Sequence, residues 1–353
     1  ARELREGLKN LYSVIKDADP YLHFVLLTGV SKFSKVSLFS GLNNLNDITL
    51  DAPFSTICGY TDEDIDTVFT AELPGLDREA IRQWYNGYRW GGREVTSVYN
   101  PFDVLLLFQK REFGPYWFES ATPTFLVDIL KQRGVFTPSL DHWETEYELL
   151  SQFDVDQIST EGLLFQTGYL TIQQVEEPLR GYRQYTLGFP NREVETSLNH
   201  ALLPSLGVEN APRERRTLFR HLSQHDLAGL ETHLKALYAG LPHDWYRNNH
   251  IAKYEGHYAS VFYSHFAALG LDVTVEDASH HGKVDMSVDF GGHIYLFEFK
   301  VLEQLPEGKA LAQIKHKGYA DKHLASGKPI HLIGVEFSSV QRQIGGFEVE
   351  TLA

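Results

Sequence analysis

Apolar positions along the chain fall into two spacings. Over residues 3–16 they recur at helical intervals, which predicts a helix. Phe24-Val25-Leu26-Leu27 is a continuous apolar run closed by Thr28-Gly29, so 23–28 is predicted as a buried strand of a parallel α/β sheet. Thr61-Asp62-Glu63-Asp64 reads as a helix start, a hydroxyl cap followed by acids near the positive helix end. Helices are predicted over 78–85, stopped by Asn86-Gly87-Tyr88, and from Asn100-Pro101 to about Lys110. Shorter ones are predicted over 122–132 and 144–152. A helix over 160–165 followed by strands over 169–175 and 183–187 has the outline of a winged-helix unit. Pro190-Asn191-Arg192-Glu193 opens the next helix.

The pattern sharpens further on. Helices are predicted over 213–239 and 250–269, strands over 271–275, 283–290 and 293–301, a helix over 307–325 and a strand over 329–337. The order is α-β-β-β-α-β. Gly291-Gly292 joins the second and third strands, a dipeptide that suits a two-residue primed turn. Such a turn sets the register. With Phe290 opposite His293, Asp285 falls opposite Glu298 and Lys283 opposite Lys300. Alternation puts Val284, Met286, Val288 and Phe290 on one face and Lys283, Asp285, Ser287 and Asp289 on the other.

Two carboxylates side by side on a strand pair repel each other. Acids and lysines on strands ordinarily mark a solvated face. Here Leu296, Phe297, Phe299 and Val301 surround Glu298, so the strand reads as buried on both sides. Buried like charges need a counterion, and a hard divalent cation accepts one or two carboxylates plus oxygens from water and phosphate. Lys300 lies two residues from Glu298, hence on the same side, where an ammonium can orient water or stabilise developing negative charge. Glu255 begins a helical stripe continued by Tyr258, Ala259, Phe262, Phe266 and Leu269, which places it on the core-facing side. Gln313 is a polar candidate on the following helix. Tyr319, six positions on, falls on another side of it. His280-His281 lack a third ligand at zinc spacing and read as loop.

Composition narrows the classes. Of 353 residues, 42% are hydrophobic and 22% charged, which fits a globular chain of about two domains. A single cysteine, Cys58, excludes an intrachain disulfide, favours a reducing compartment such as the cytoplasm, and reads as a small buried residue. No apolar run is long enough for a transmembrane helix. The net charge is −15, unevenly spread. Residues 1–212 hold 17 basic and 30 acidic residues with 3 histidines; residues 213–353 hold 15, 17 and 13. The shift near Pro212 predicts a domain boundary. An acidic first part is a poor surface for non-specific phosphate binding. The chain has no GxxxxGK[ST] loop and no GxSxG elbow.

Gly282-Lys283-Val284-Asp285, Phe297-Glu298-Phe299-Lys300 and Ala310-Leu311-Ala312-Gln313-Ile314, in that element order, resemble the PD-(D/E)XK nuclease superfamily, with Val284 in place of the proline. The resemblance implies a restriction-endonuclease-like α-β-β-β-α-β core. It implies Asp285 and Glu298 as ligands of Mg²⁺ or Mn²⁺, Lys300 as the catalytic lysine, and Glu255 and Gln313 as auxiliary site residues. Leu27 to Ser34, Trp84-Tyr85-Asn86-Gly87-Tyr88, Tyr99-Asn100-Pro101-Phe102 and Gly168-Tyr169-Leu170-Thr171 resemble the later part of an AAA-ATPase-like domain found fused to such nucleases in bacteria. By that resemblance, Thr28 is a remnant sensor position at a strand end.

The expected architecture is α/β: residues 1–60 a P-loop remnant of the AAA-like domain, 61–212 a helical and winged-helix-like region, 213–353 the nuclease-like domain. The phosphate loop and Walker-B acid are expected upstream of Ala1, and ATP enters only with that part. The expected activity is metal-dependent hydrolysis of phosphodiester bonds in nucleic acid, DNA ahead of RNA. The alternatives are a non-catalytic nucleic-acid-binding or regulatory module with a degenerate nuclease fold, and an ATP-driven motor component.

Overall fold

The computed structural model describes residues 2–29, 45–91, 95–120, 124–147, 150, 159–241, 251–279, 282–302, 308–338, 340–341 and 343–352. His280-His281 lie outside them. Contacts divide the chain into two compact units, residues 1–121 with 139–194, and residues 122–138 with 195–353. Pro212 lies inside the second unit. The elements are α1 (Arg2–Asp17), α2 (Asp62–Thr67), α3 (Arg78–Tyr85), α4 (Pro101–Lys110), α5 (Tyr116–Ser120), α6 (Thr124–Gln132), β1 (Trp143–Glu146), α7 (Thr160–Gln166), β2 (Thr171–Leu179) and β3 (Tyr182–Gly188). Then come α8 (Arg192–Ser205), α9 (Ala211–Ser223), α10 (Leu227–Ala239), α11 (Ile251–Ala267), β4 (Asp272–Ser279), β5 (Gly282–Phe290), β6 (His293–Leu302), α12 (Lys309–His316), β7 (Ile330–Ser338) and β8 (Gln343–Leu352).

In the first unit, Thr61 and Asp64 form a reciprocal capping box at the start of α2. Asn100 caps α4, its side chain accepting from the Phe102 N–H at 3.0 Å. Ile81 and Tyr85 of α3 pack with Tyr99, Val104, Leu107 and Tyr116. Gly87, at φ 113°, has no substitute: a Cβ there would lie 1.7 Å from the Pro190 carbonyl oxygen. Strands β1, β3 and β2 form an antiparallel sheet in that order.

Four expectations fail in this unit. Residues 22–29 form no strand, and Phe24 and Leu26 are exposed, because no neighbouring strand covers them among the described residues. Thr28 therefore does not sit at a strand end. Trp143–Glu146, predicted as helix, pairs with β3, an example of long-range pairing overriding local preference. Cys58 is exposed, in the turn that follows Ala52–Phe54.

The second unit is built on one mixed five-stranded sheet, ordered β4-β5-β6-β7-β8, with β6 and β7 parallel and the other pairs antiparallel. Helices α9, α10 and α11 pack one face through Leu218, Leu234, Tyr258, Phe262 and Phe266 against Met286, Phe297, Phe299 and Phe337. Tyr258, Phe262 and Phe266 are the stripe read from the sequence. Each fully buried aromatic of this kind contributes about 2–3 kcal/mol. Helix α12 covers the opposite face, where Ile314 meets Val284, Leu296 and Leu332.

Predicted spans and observed elements differ where backbone stops intervene. The helix predicted over 213–239 breaks at His225, at φ 51°, and Asp226 caps α10 by accepting from the Gly229 N–H at 2.8 Å. The helix predicted over 307–325 ends at His316, ahead of Gly318 at φ 58°. Strand β8 was not foreseen; it completes the sheet beyond β7.

Candidate active site

The β5–β6 hairpin has the predicted register. Phe290 pairs with His293, and the ladder runs unshifted to Met286 opposite Phe297. There the ladder ends, so Asp285 and Glu298 stand just beyond the last rung. On the other side of β5, Val275 pairs with Met286 and Asp277 with Val284, while Glu276, between them, has φ 48°. The expected alternation also breaks here. Met286 and Val288 join the core under α9–α11, but Val284 packs under α12. The local distortion at Glu276 and Asp285 is the physical reason, since a strand keeps its period of two only while its pleat is regular.

The Asp285 carboxylate turns toward β6, where its Oδ2 accepts the Phe299 backbone N–H at 2.7 Å. Glu298, on the α12 side of β6, is 1% exposed. Its Oε1 accepts from Lys300 Nζ at 3.2 Å and from Gln313 Nε2 on α12. Its Oε2 is buried and makes no hydrogen bond among the described residues. Burial, and then the charge of Asp285, push the Glu298 carboxyl up to about 7, against the pull of Lys300. The Lys300 side chain is one-third exposed at 33%, so its ammonium stands between the buried acid and solvent. Asp285, Glu298, Lys300 and Gln313 are thus brought together. Glu255 lies in the first turns of α11, but its side chain is outside the described residues. Lys283 is exposed, lies opposite Ala278 on β4 and is paired with Glu276 at 2.8 Å.

The donor set suits a hard divalent cation. A buried carboxylate oxygen without a hydrogen bond is a costly arrangement that a cation relieves. Asp285 supplies a second carboxylate. Among the described residues no group of three or more His, Cys, Asp or Glu converges. A cation held by Asp285 and Glu298 would leave room for water and substrate oxygens, as Mg²⁺ commonly does.

Two residues that the sequence reading passed over shape this site. Gly334 pairs with Glu298 across β6–β7, and Glu336 pairs with Lys300. Glu336 is the lone carboxylate in a mostly apolar strand, a signal as visible in the sequence as Glu298 was. The first unit holds a buried acid pair. Asp103 and Glu193 both accept the Trp117 N–H, at 2.7 and 3.0 Å, and both are fully buried. Burial, then the Asp103 charge, push Glu193 well above the usual carboxylate range.

The family described as the PD-(D/E)XK nuclease superfamily matches residues 253–347. The family described as Predicted AAA-ATPase matches residues 1–39. An uncharacterized protein in the vnfD 5' region of Azotobacter chroococcum mcd 1 is 61% identical over 354 residues, 100% of this chain and 68% of that protein. No solved structure matches.

Proposed function

Because this chain belongs to a family that joins an AAA-ATPase-like segment to a C-terminal PD-(D/E)XK nuclease superfamily domain, we propose that its second unit is a metal-dependent nuclease hydrolysing phosphodiester bonds. The substrate in this reading is nucleic acid, DNA ahead of RNA. The observation that carries it is the Glu298 carboxylate, 1% exposed, with Oε2 making no hydrogen bond among the described residues, beside Asp285 at the end of the hairpin ladder.

Asp285 and Glu298 are the residues that would hold Mg²⁺ or Mn²⁺. When bound, such an ion supplies Lewis acidity toward the phosphodiester and makes water a better nucleophile. The Phe299 N–H keeps the Asp285 carboxylate turned toward β6, and Gln313 with Lys300 fixes one oxygen of Glu298. These bonds hold the acids in place before substrate arrives, the preorganisation on which electrostatic stabilisation depends. The Lys300 ammonium, open to solvent on one side, orients the attacking water or balances the charge that builds on the phosphate oxygens. Glu255, on α11, is assigned an auxiliary role. ATP belongs to this reading only through the AAA-like segment, and the cytoplasm is the proposed compartment. Among the described residues, no helix is long and apolar enough to cross a membrane.

The order α7-β2-β3, with β1 completing a three-stranded sheet, supports a winged-helix-like unit and with it a second reading, nucleic-acid binding without cleavage. The two readings separate in one experiment. The parent and Asp285→Ala are incubated with duplex DNA, single-stranded DNA and RNA, with Mg²⁺, Mn²⁺ or a chelator. The nuclease reading expects cleavage by the parent with metal only, and loss of at least a hundredfold in Asp285→Ala. Equal cutting by the two proteins would sink it. Binding without cleavage, weakening with salt and indifferent to metal, would favour the second reading.

A further inference from the structure

Helix α12 carries Gln313 to Glu298, yet its own sequence does not cap its start. The N-cap is Gly308, left-handed at φ 70°, with no side chain to offer. The first N–H groups of a helix need acceptors from elsewhere. One carboxylate from β7 supplies them. Glu336 Oε1 accepts from the Lys309 N–H at 2.6 Å and the Ala310 N–H at 3.2 Å, and Oε2 accepts from the Gly308 N–H at 3.2 Å. Glu336 is 3% exposed. Three amides and the positive end of a helix dipole offset the cost of burying that charge.

The same strand touches α12 again two residues earlier. A Cβ on Gly334 would lie 2.4 Å from Leu311 N and 2.9 Å from Leu311 Cα, so the helix backbone rests directly on β7. Gly334 pairs with Glu298 and Glu336 with Lys300. The strand that pins the helix is thus in register with the strand that carries the acid and the lysine. Among the described residues, the charged groups that bear on Glu298 are Asp285 from β5 and Lys300 from its own strand, and Gln313 is the polar contact from α12.

We propose that Glu336 is a positioning residue for this site: by capping α12 it sets where Gln313 meets Glu298, and so the orientation in which Glu298 faces a divalent cation. Both Glu336 oxygens take backbone amides, so it acts through the helix rather than on substrate. The functional consequence rests on the nuclease reading; the geometric claim does not.

The test follows the Glu298 carboxyl by carbon-13 NMR in the full chain without metal, its signal assigned by its loss in Glu298→Gln. A hydrogen bond to a charged carboxylate favours the ionised form, so losing the Gln313 contact raises the titration midpoint. Gln313→Leu and Glu336→Ala are each expected to raise it by about one pH unit, a tenfold change in the proton equilibrium. The double variant is expected to go no further than Gln313→Leu alone. Glu336→Gln, which keeps an acceptor oxygen, should fall between Glu336→Ala and the parent. Should Glu336→Ala not fold, Glu336→Gln carries the test with a smaller upward shift that disappears in the Gln313→Leu background. A parent-like midpoint in folded Glu336 variants, or shifts that add in the double variant, overturn the proposal. A parent that cuts no nucleic acid with Mg²⁺ or Mn²⁺ would remove the nuclease reading while leaving this titration to decide the role of Glu336.

Discussion

Asp285 Oδ2 accepts the Phe299 backbone N–H at 2.7 Å, one step past the last rung of the β5–β6 ladder. A side chain takes the place of a ladder partner, and the carboxylate is held beside Glu298 by the strand it would otherwise have faced. The bond needs an acceptor oxygen but not a negative charge, which separates folding from chemistry.

Asp285→Asn is therefore expected to fold within about 1 kcal/mol of the parent, since the amide oxygen still accepts the Phe299 N–H. It should lose metal-dependent cleavage by at least a hundredfold. The Asp285 charge raises Glu298, so its removal should lower the Glu298 midpoint below about 7. Denaturant melts, cleavage assays and carboxyl NMR on one protein sample read all three.

Glu298→Gln should trade activity for stability. A carboxyl raised from its ordinary 4.5 to about 7 on folding weakens the fold as pH climbs through that window. At pH 8 the full effect is present, on the order of 3 kcal/mol. The neutral amide escapes it. Chemical denaturation at pH 8 and pH 4 should show a gain for the variant at the higher pH and little difference at the lower one, with cleavage abolished at both. A variant less stable than the parent at pH 8 would contradict the raised carboxyl.

Metal binding should carry the same titration. Below about 7 a cation must displace a proton from Glu298, so Mn²⁺ affinity should fall about tenfold per pH unit. Lys300 pulls that midpoint down. Lys300→Met should move the onset of the fall to higher pH, as well as removing cleavage. Calorimetric titration with Mn²⁺ between pH 5.5 and 8.5 checks both.

Gly334→Ala should damage the site from behind. The added methyl meets Leu311 backbone atoms at 2.4 and 2.9 Å, which cannot yield by a rotamer change. Overpacking of this kind costs about 1–3 kcal/mol, and it pushes α12, with Gln313, away from Glu298. Stability and cleavage should both drop; a fully active Gly334→Ala protein would show that α12 does not have to rest on β7.

In the first unit, Glu193→Gln is expected to stabilise. Burial and the Asp103 charge raise Glu193 on folding, so its contribution is lost as pH rises above its unfolded value. Removing the titration should increase resistance to denaturant at pH 8 more than at pH 5. Equal change at both would show that the pair carries no titration.

Much of the site was written in local sequence. Gly291-Gly292 dictates a two-residue turn, and such a turn leaves one register, so the pairing from Phe290 to Met286 could be counted from the residues alone. Glu298 stood out because a carboxylate inside an apolar strand is expensive wherever it occurs. The stripe of Tyr258, Phe262 and Phe266 follows from helical period, and those residues are buried as that period requires.

Other features depend on which distant segments meet, and no spacing within one element contains that information. Trp143–Glu146 is a strand because β3, some 40 residues on, offers it hydrogen bonds. Residues 22–29 are apolar but exposed, since burial belongs to a neighbour rather than to the run itself. Val284 changes face because the pleat is disturbed at Glu276 and Asp285. Glu336 reaches amides 26 to 28 positions away, and only the packing of α12 on Gly334 brings them within its range. Sequence alone determined the periodicities, the turn and the acids, because backbone geometry and desolvation act at every position. Tertiary structure decided which orphaned amide met which carboxylate, because hydrogen bonds between elements form only after chain entropy has been spent to bring those elements together.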